Sequence, residues 1–312
     1  MNEGPAGDHQ TVLLEEAVTA LVTDPDGFYV DGTFGRGGHT RALLDRLGPE
    51  GRVLALDLDP QACRVGRALA ARDSRLEMVQ MSFRDLLPHL AARAAPVPVA
   101  GLLLDLGVSS PQLDDPARGF SFLRDGDLDM RMNPDQGQSA AAWLAAASET
   151  EITRVLQEYG EERYARRIAR AIVHARAQKP LLRTVQLAQV IAEAHPAWQP
   201  GRHPATRSFQ AIRIHINGEL TALRTALDQV LEVLAVGGRL VVISFHSLED
   251  RMVKRFIRDE QHPRVPRGLP IEEARLPRRL RALGRAISPS AAEVAANPRS
   301  RSAVMRVAEK LA

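Results

Sequence analysis

Short apolar runs alternate with amphipathic stretches from residue 28 to 108, and this alternation sets the first expectation for the chain. Phe28 to Phe34, Arg52 to Leu58, Leu76 to Met81 and Val99 to Leu106 are almost continuously apolar, as strands covered on both faces are. Between them, Thr40 to Leu47 carries Leu43, Leu44 and Leu47 at helical spacing, and further helix patterns begin at Pro60 and Arg84. Strand and helix in turn predict an α/β protein with a doubly wound, mostly parallel sheet. The rhythm then stops. Ser109 to about Pro204 shows no strand pattern, only a Gly/Asp/Pro-rich loop over Asp114 to Gly137 followed by helix patterns near Ser139, over Glu151 to Gln157, and over Glu161 to Gln178. The last of these places Tyr164, Ile168 and Ile172 on one stripe and Arg163, Arg167 and Arg170 on another face.

Sheet-like patterning returns after this helical insertion. Ile212, Ile216, Leu220, Leu223, Leu227, Val230 and Leu234 form one long helical stripe, with Gly237-Gly238 expected to cap it. Arg239 to Phe245 reads as a fifth strand and Ser302 to Val307 as a last one. The Pro- and Arg-rich stretch Asp259 to Asn297 reads as an extended, partly mobile excursion. The expected organisation is therefore one discontinuous sheet domain, 1–112 with 207–312, and an inserted helical domain, 113–206.

Chemistry enters at the strand ends. Asp31-Gly-Thr-Phe-Gly-Arg-Gly-Gly-His39 joins the first strand to its helix with four glycines, which permit positive φ and let backbone amides approach a ligand closely. The second strand ends at Asp57, about 20 residues on, where a doubly wound fold puts the acid that binds ribose hydroxyls. The fourth ends at Asp105. Open parallel sheets bind ligands at this edge, so Gly37, Asp57 and Asp105 are expected to converge.

Three cofactor classes use this architecture. A phosphate-binding P-loop is excluded because no Gly-Lys-Ser/Thr follows the glycines. A nicotinamide dinucleotide wants a different glycine spacing and a proton relay that the chain does not display. S-adenosylmethionine needs a glycine loop, an acid for ribose, a side chain beside adenine and an acid on the fourth strand; Gly37/Gly38, Asp57, Phe83 and Asp105 supply them.

Composition narrows the class further. In 312 residues, 45% are hydrophobic and 25% charged, so the chain is globular with room for two domains. Net charge of +3 and a pI near 9.4 are compatible with a nucleic-acid partner. Cys63 permits no internal disulfide and suits a reducing cytoplasm. No apolar run reaches membrane-spanning length, and no His/Cys/Asp cluster has metal-ligand spacing, so neither a membrane nor a metal is expected. Asp59 before Pro60 reads as a helix cap. His246 reads equally as a strand-end hydrogen-bonding group or a contact to a substrate base. Arg299, Arg301 and Arg306 read as RNA contacts or as partners of acids. The sequence sets no oligomeric state.

Seven segments together resemble the bacterial 16S ribosomal RNA cytosine-N4 methyltransferases: the Asp31 to His39 loop, Asp105-Leu-Gly-Val-Ser-Ser-Pro-Gln-Leu-Asp-Asp115, Arg118-Gly-Phe-Ser-Phe122 with Asp127-Leu-Asp-Met-Arg-Met132, Tyr159-Gly-Glu-Glu-Arg-Tyr164, His203-Pro-Ala-Thr-Arg-Ser-Phe-Gln-Ala211, Ser244-Phe-His-Ser-Leu-Glu-Asp-Arg251 and Asn297-Pro-Arg-Ser-Arg-Ser302. The resemblance runs from His9 to Glu309. It implies a methyltransferase fold with a helical substrate-recognition insertion, S-adenosylmethionine as donor, and a decoding-centre cytidine of 16S rRNA in the small ribosomal subunit as acceptor. Carried over by motif, it implies Gly37, Gly38 and His39 around the methionine end, Asp57 on the ribose, Phe83 beside adenine, and Asp105 and Gln112 lining the site. Asp105, Ser109 and Ser110 are the expected acceptors for the amino hydrogens of the target base. Unlike the DNA amino-methyltransferases, Ser109-Ser110-Pro111-Gln112 carries no aromatic to stack that base, and Phe120, Phe122, Phe245 and His246 are the candidates elsewhere. Two other readings stay open: methylation of DNA cytosine or a small molecule, and a cofactor-binding regulator that grips nucleic acid without chemistry.

Overall fold

The computed structural model describes residues 11–93, 98–197, 201, 203–263 and 277–311; the polar start Met1 to Gln10 and residues 264–276 of the Pro- and Arg-rich stretch lie outside that set. The chain divides into two compact units, Met1–Gly107 with Leu220–Ala312, and Val108–Glu219. The unit bounds thus lie at 107/108 and 219/220, a few residues before and some after the divisions read from sequence.

The first unit is built on a seven-stranded sheet. Its strands are β1 (Phe28–Asp31), β2 (Arg52–Asp57), β3 (Leu76–Gln80), β4 (Val99–Asp105), β5 (Leu234–Ser244), β6 (Leu280–Ala282) and β7 (Val304–Lys310). The order is β3-β2-β1-β4-β5-β7-β6; β1 to β5 are parallel and β7 runs antiparallel to both its neighbours. Its described helices are α1 (Leu14–Leu21), α2 (Gly38–Arg46), α3 (Pro60–Ala70), α4 (Leu86–Ala91), α11 (Glu219–Val233) and α12 (Ser247–Gln261), with α13 (Ala291–Ala296) before β7.

Alternate strand residues feed two separate cores. Val30, Leu54, Leu56, Leu102, Leu104, Leu240 and Val242 join one cluster. Tyr29, Val53, Ala55, Leu103, Val241 and Ile243 join the other. With a core on each face, the central strands β1, β2 and β4 are apolar at nearly every position, which is why they show no polar alternation. The same parallel arrangement brings Asp31, Asp57 and Asp105 to one sheet edge, with β1 between β2 and β4. There the winding reverses, the place where such sheets hold ligands.

Several expected elements differ. The stripe from Ile212 to Leu234 is two helices, because Gly218 takes φ 61° and ends the first of them. Gly237 (φ 80°) lies inside β5 and caps nothing; β5 starts at Leu234, and its register against β4 shifts between Val99 and Gly101. The stretch read as an excursion contains β6 and α13. β6 buries only Leu280, so three residues of an edge strand carry no periodic signal. Asp59 does cap α3, accepting from Gln61 N at 2.8 Å.

The second unit is helical among its described residues: α5 (Ser110–Asp114), α6 (Ala140–Ala146), α7 (Glu149–Gly160), α8 (Ala165–Gln178), α9 (Thr184–Ala194) and α10 (Ala205–Asn217), with one isolated bridge between Asp127 and Arg183. The helix expected from Glu161 starts four residues later, since Glu161 at φ 47° ends α7. Trp143, Leu144, Ile152, Leu156, Ile168, Ile172, Leu187, Ile191, Phe209 and Ile212 form its core. The Gly/Asp/Pro-rich loop is part of that core through Leu128 and Met130. Buried Arg118 donates to the carbonyls of Arg131 and Met132, and Asn217 takes Met132 N at 2.7 Å and donates to Met130 O at 2.8 Å. No described helix is long and apolar enough to cross a membrane.

Candidate functional site

Beyond β1 the chain passes through a space that admits no side chain. A Cβ on Gly32 would lie 2.6 Å from Leu104 Cδ2 and 3.1 Å from Phe83 Cβ, and Gly32 N donates to Leu103 O at 2.9 Å. Phe83, half-buried at the start of a short 3-10 turn, therefore stands directly beside the loop. Gly37 is held at φ 76° by the turn into α2, where a Cβ would strike the buried Phe34 ring at 2.6 Å. Gly37→Ala is expected to destabilise the protein by about 1–3 kcal/mol through left-handed strain and this clash. Thermal unfolding with and without donor measures it, and an unchanged Tm would contradict the geometry.

Each strand-end acid has a distinct hydrogen-bond pattern. Asp31, fully buried, accepts from Thr33 N (3.1 Å) and Thr40 Oγ1 (2.6 Å). Asp57 accepts from Gly35 N at 2.8 Å through one oxygen and from Asp59 N at 2.8 Å through the other, tying the glycine loop to β2. Asp105 donates its backbone N–H to Thr33 Oγ1 at 2.6 Å, while its Oδ1 is buried without a hydrogen-bond partner. His39, the second residue of α2, brings Nδ1 to 3.7 Å from Asp105 Oδ2, and its Nε2 is also buried without a partner. Gly37, Gly38, His39, Asp57, Phe83 and Asp105 thus come together in the first unit. Ser109, Ser110 and Gln112 fall in the second: Ser109 caps α5, and Gln112 Oε1 accepts Ser109 N at 2.9 Å.

Burial sets the protonation of these groups. It pushes Asp31 and Asp57 each up to about 6, against the pull of their hydrogen bonds. Asp105 rises well above the ordinary carboxylate range through burial first, then through repulsion from Asp31 and Glu249. His39 is pushed down to about 4 by burial, so its imidazole is neutral at physiological pH. For Asp31 the folded chain holds a proton that the unfolded chain releases near pH 4, so stability is highest below that pH and falls as pH rises to about 6. A carboxyl displaced this far contributes on the order of 2–3 kcal/mol. Asp31→Asn, which mimics the neutral acid, is therefore expected to reduce the loss of Tm between pH 4 and 6 without added donor. A pH–Tm slope identical to that of the parent protein would refute this.

Four participants were not singled out from sequence. Asp31 is one; by the reasoning applied to Asp57 and Asp105, its place at a strand end was the available signal. Thr33 and Thr40, which hold Asp105 and Asp31, gave no signal because their partners are distant in sequence. Glu249 is the last: 2% exposed, it accepts from Phe245 N at 2.9 Å and His246 N at 3.3 Å, with Oε1 3.1 Å from His246 Nε2. The backbone of His246 is accordingly held at the strand end by Glu249. Arg306 pairs with Asp250 through two bonds of 2.6 and 3.0 Å. Cys63 is buried with its thiol pushed up to about 12, chiefly by desolvation, which makes it a small apolar filler. Among the described residues no group of three or more His, Cys, Asp or Glu could hold a metal ion.

Residues 6–311 match the model of the MraW methylase family. The chain belongs to this family. It is 58% identical over 305 residues to the ribosomal RNA small subunit methyltransferase H of Chromohalobacter salexigens, covering 97% of this chain and 92% of that protein. Among solved structures it is similar to an rRNA methylase of Streptococcus thermophilus (13% identity, TM-score 0.41, covering 95% and 92% of the two chains). It is also similar to a Streptococcus mutans protein in complex with SAH (12%, TM-score 0.42, 95% and 93%).

This MraW methylase is an S-adenosylmethionine-dependent methyltransferase, and the residues at the sheet edge fit that donor. A dinucleotide would bring two phosphate charges to an edge lined by Asp31, Asp57, Asp105 and Glu249. The sulfonium and ammonium groups of S-adenosylmethionine are cationic, and Asp105 Oδ1 lacks a partner. Gly35 and Gly107, both at positive φ, have no atom closer than 3.9 Å to an added Cβ, which leaves room for a ligand against the backbone.

Proposed function

We propose that this methylase transfers the methyl group of S-adenosylmethionine to the exocyclic N4 of a cytidine in the decoding centre of 16S rRNA, acting on the small ribosomal subunit in the cytoplasm. The near full-length relation to a small-subunit rRNA methyltransferase supports the substrate class. The observation that carries the chemistry is the buried, unpartnered oxygen of Asp105 at the end of β4.

When bound, the donor supplies an electrophilic methyl on a sulfonium. Asp57 accepts from the ribose hydroxyls, keeping lone pairs beyond those used by Gly35 N and Asp59 N. Phe83 packs beside adenine, Gly37 and Gly38 admit the methionine end, and neutral His39 contributes a ring N–H. The N4 lone pair is delocalised into cytosine, so it must be oriented before it can attack; alignment of this kind supplies several orders of magnitude. Asp105 accepts a hydrogen bond from the amine and takes the proton that it releases. Its raised affinity for a proton makes it a stronger base than an ordinary carboxylate. Ser109 and Ser110, four and five residues further along the chain, supply further acceptors, and Gln112 braces their turn.

The helical unit is assigned to RNA recognition. Arg166, Arg167 and Arg170 of α8 are exposed, and phosphate contacts are their proposed use. Incubation with labelled donor and unmodified small subunits, followed by digestion to nucleosides, tests the proposal. Label in N4-methylcytidine is the expected result; label elsewhere, or only on duplex DNA, refutes it.

A further inference from the structure

Four of the seven resemblance segments play no part in the donor site, and two of these meet. Glu162, Arg163 and Tyr164 follow α7, His203 and Arg207 open α10 some forty residues later, and with His195 they line one cleft of about 190 Å³ in the helical unit. Glu162 is its one buried polar lining residue among those described, 4% exposed. Its Oε1 accepts Tyr164 N at 3.0 Å and stands 3.7 Å from His195 Nε2, whereas Oε2 is buried with no hydrogen-bond partner. An acceptor withheld from water and left unpaired is costly, and in a cleft it is placed to receive a donor from a ligand.

The walls are rings and the rim is basic. Tyr164 meets His195 edge-on at 4.8 Å, and the His203 ring lies 4.6 Å from Phe122. Exposed Arg163 sets its guanidinium 5.7 Å from the Tyr164 ring, and exposed Arg207 donates to Glu161 O at 3.3 Å with further donors left over. A matching ligand presents an N–H at its inner end, a flat ring between, and negative charge outside. An acidic peptide would set carboxylates against Glu162, and phosphate alone would leave the rings and Glu162 unmet. An unstacked nucleotide with an exocyclic amine satisfies all three demands.

We propose that this cleft is a binding subsite for an unpaired RNA nucleotide bearing an exocyclic amino group, additional to the nucleotide that is methylated; the assignment to RNA rests on the function proposed above. Cytidine and uridine monophosphates are the decisive probes, since cytidine presents an N4 amine beside a bare N3 and uridine an O4 carbonyl beside a single N3–H. Titrated into the full-length protein and followed by NMR at the His195 and His203 rings, the cytidine nucleotide is expected to bind about tenfold more tightly. Glu162→Gln is the critical variant. Tyr164 N requires an acceptor at Oε1, so the new amide must place its NH2 where Oε2 was, and the preference is expected to reverse toward uridine. Arg207→Ala is expected to weaken both probes alike and reduce the salt dependence, while inorganic phosphate competes only weakly. Equal binding of the two nucleotides to the parent protein, or an unaltered preference in Glu162→Gln, overturns the assignment. The methylation assay separates the two failures: a cleft that discriminates in a protein inert on small subunits refutes the proposed function, and an active enzyme without discrimination refutes the cleft.

Discussion

Asp105→Asn is expected to lower the turnover number for methyl transfer by about 10²–10⁴-fold, the range associated with removing a positioned proton acceptor. The amide keeps the shape of the carboxyl and can still accept one hydrogen bond, so the 2.6 Å contact from Asp105 N to Thr33 Oγ1 and the surrounding fold should persist. What disappears is the capacity to hold the released proton. The expected pattern is a fall in kcat with the donor Kd changed by less than about threefold, since less than 1 kcal/mol of binding is at stake. The parent enzyme should also gain activity with rising pH as Asp105 ionises, because its folded affinity for a proton is raised; the Asn variant should lack that limb. Single-turnover kinetics with saturating donor measures both. Full turnover in Asp105→Asn would remove the carboxylate from the mechanism, and a large loss confined to donor affinity would make it a binding residue only.

Asp57→Ala is expected to weaken donor binding about 100-fold and to lower stability as well. The first effect is loss of the charge-assisted bonds to the ribose, worth roughly 1.5–3 kcal/mol. The second has a different origin. Gly35 N and Asp59 N both lose their acceptor, and each backbone donor left unsatisfied away from water costs about 1–3 kcal/mol. The glycine loop would lose its side-chain tie to β2 and keep the backbone bond from Phe34 N to Leu56 O at 2.9 Å, so Gly37 and Gly38 would be held less firmly although neither is altered. Calorimetric titration with the donor, read beside thermal unfolding, separates the two losses. A variant that binds the donor normally would sink the ribose assignment, and one with unchanged Tm would show that the loop is held by other contacts.

The parts of this site that were legible in sequence share one property: each sits where a periodic pattern ends. Asp57 and Asp105 terminate apolar runs, and the glycine loop interrupts one, so local pattern and strand-end logic located them without any knowledge of neighbours. Phe83 and His39 were different. A phenylalanine and a histidine have ordinary roles in any core, and here their parts came from the resemblance. Glu249 was harder still. It follows β5 by five residues, on the face of α12 that turns inward, and its carboxylate matters because it closes the turn at Phe245 and His246 and raises Asp105 across the sheet edge. Nothing in a helix-start Leu-Glu-Asp distinguishes a buried acid from a solvated one.

Local geometry also overruled pattern where a single backbone angle was decisive. The stripe from Ile212 to Leu234 is a good helix in its side chains, and only the left-handed conformation of Gly218 divides it. Arg118 and Asn217 likewise turn a polar loop into a buried layer by satisfying carbonyls far along the chain.

By itself the sequence determined the α/β class, the parallel sheet, the edge where the donor is proposed to bind and two of the acids there, because apolar runs of strand length need cover on both faces and must end in something polar. The tertiary structure alone decided the state of those acids and the company they keep. Desolvation, the third buried carboxyl at Asp31, the repulsion from Glu249, and the convergence of Glu162 with His203 and Arg207 are sums over neighbours distant in the chain, and no local pattern contains such a sum.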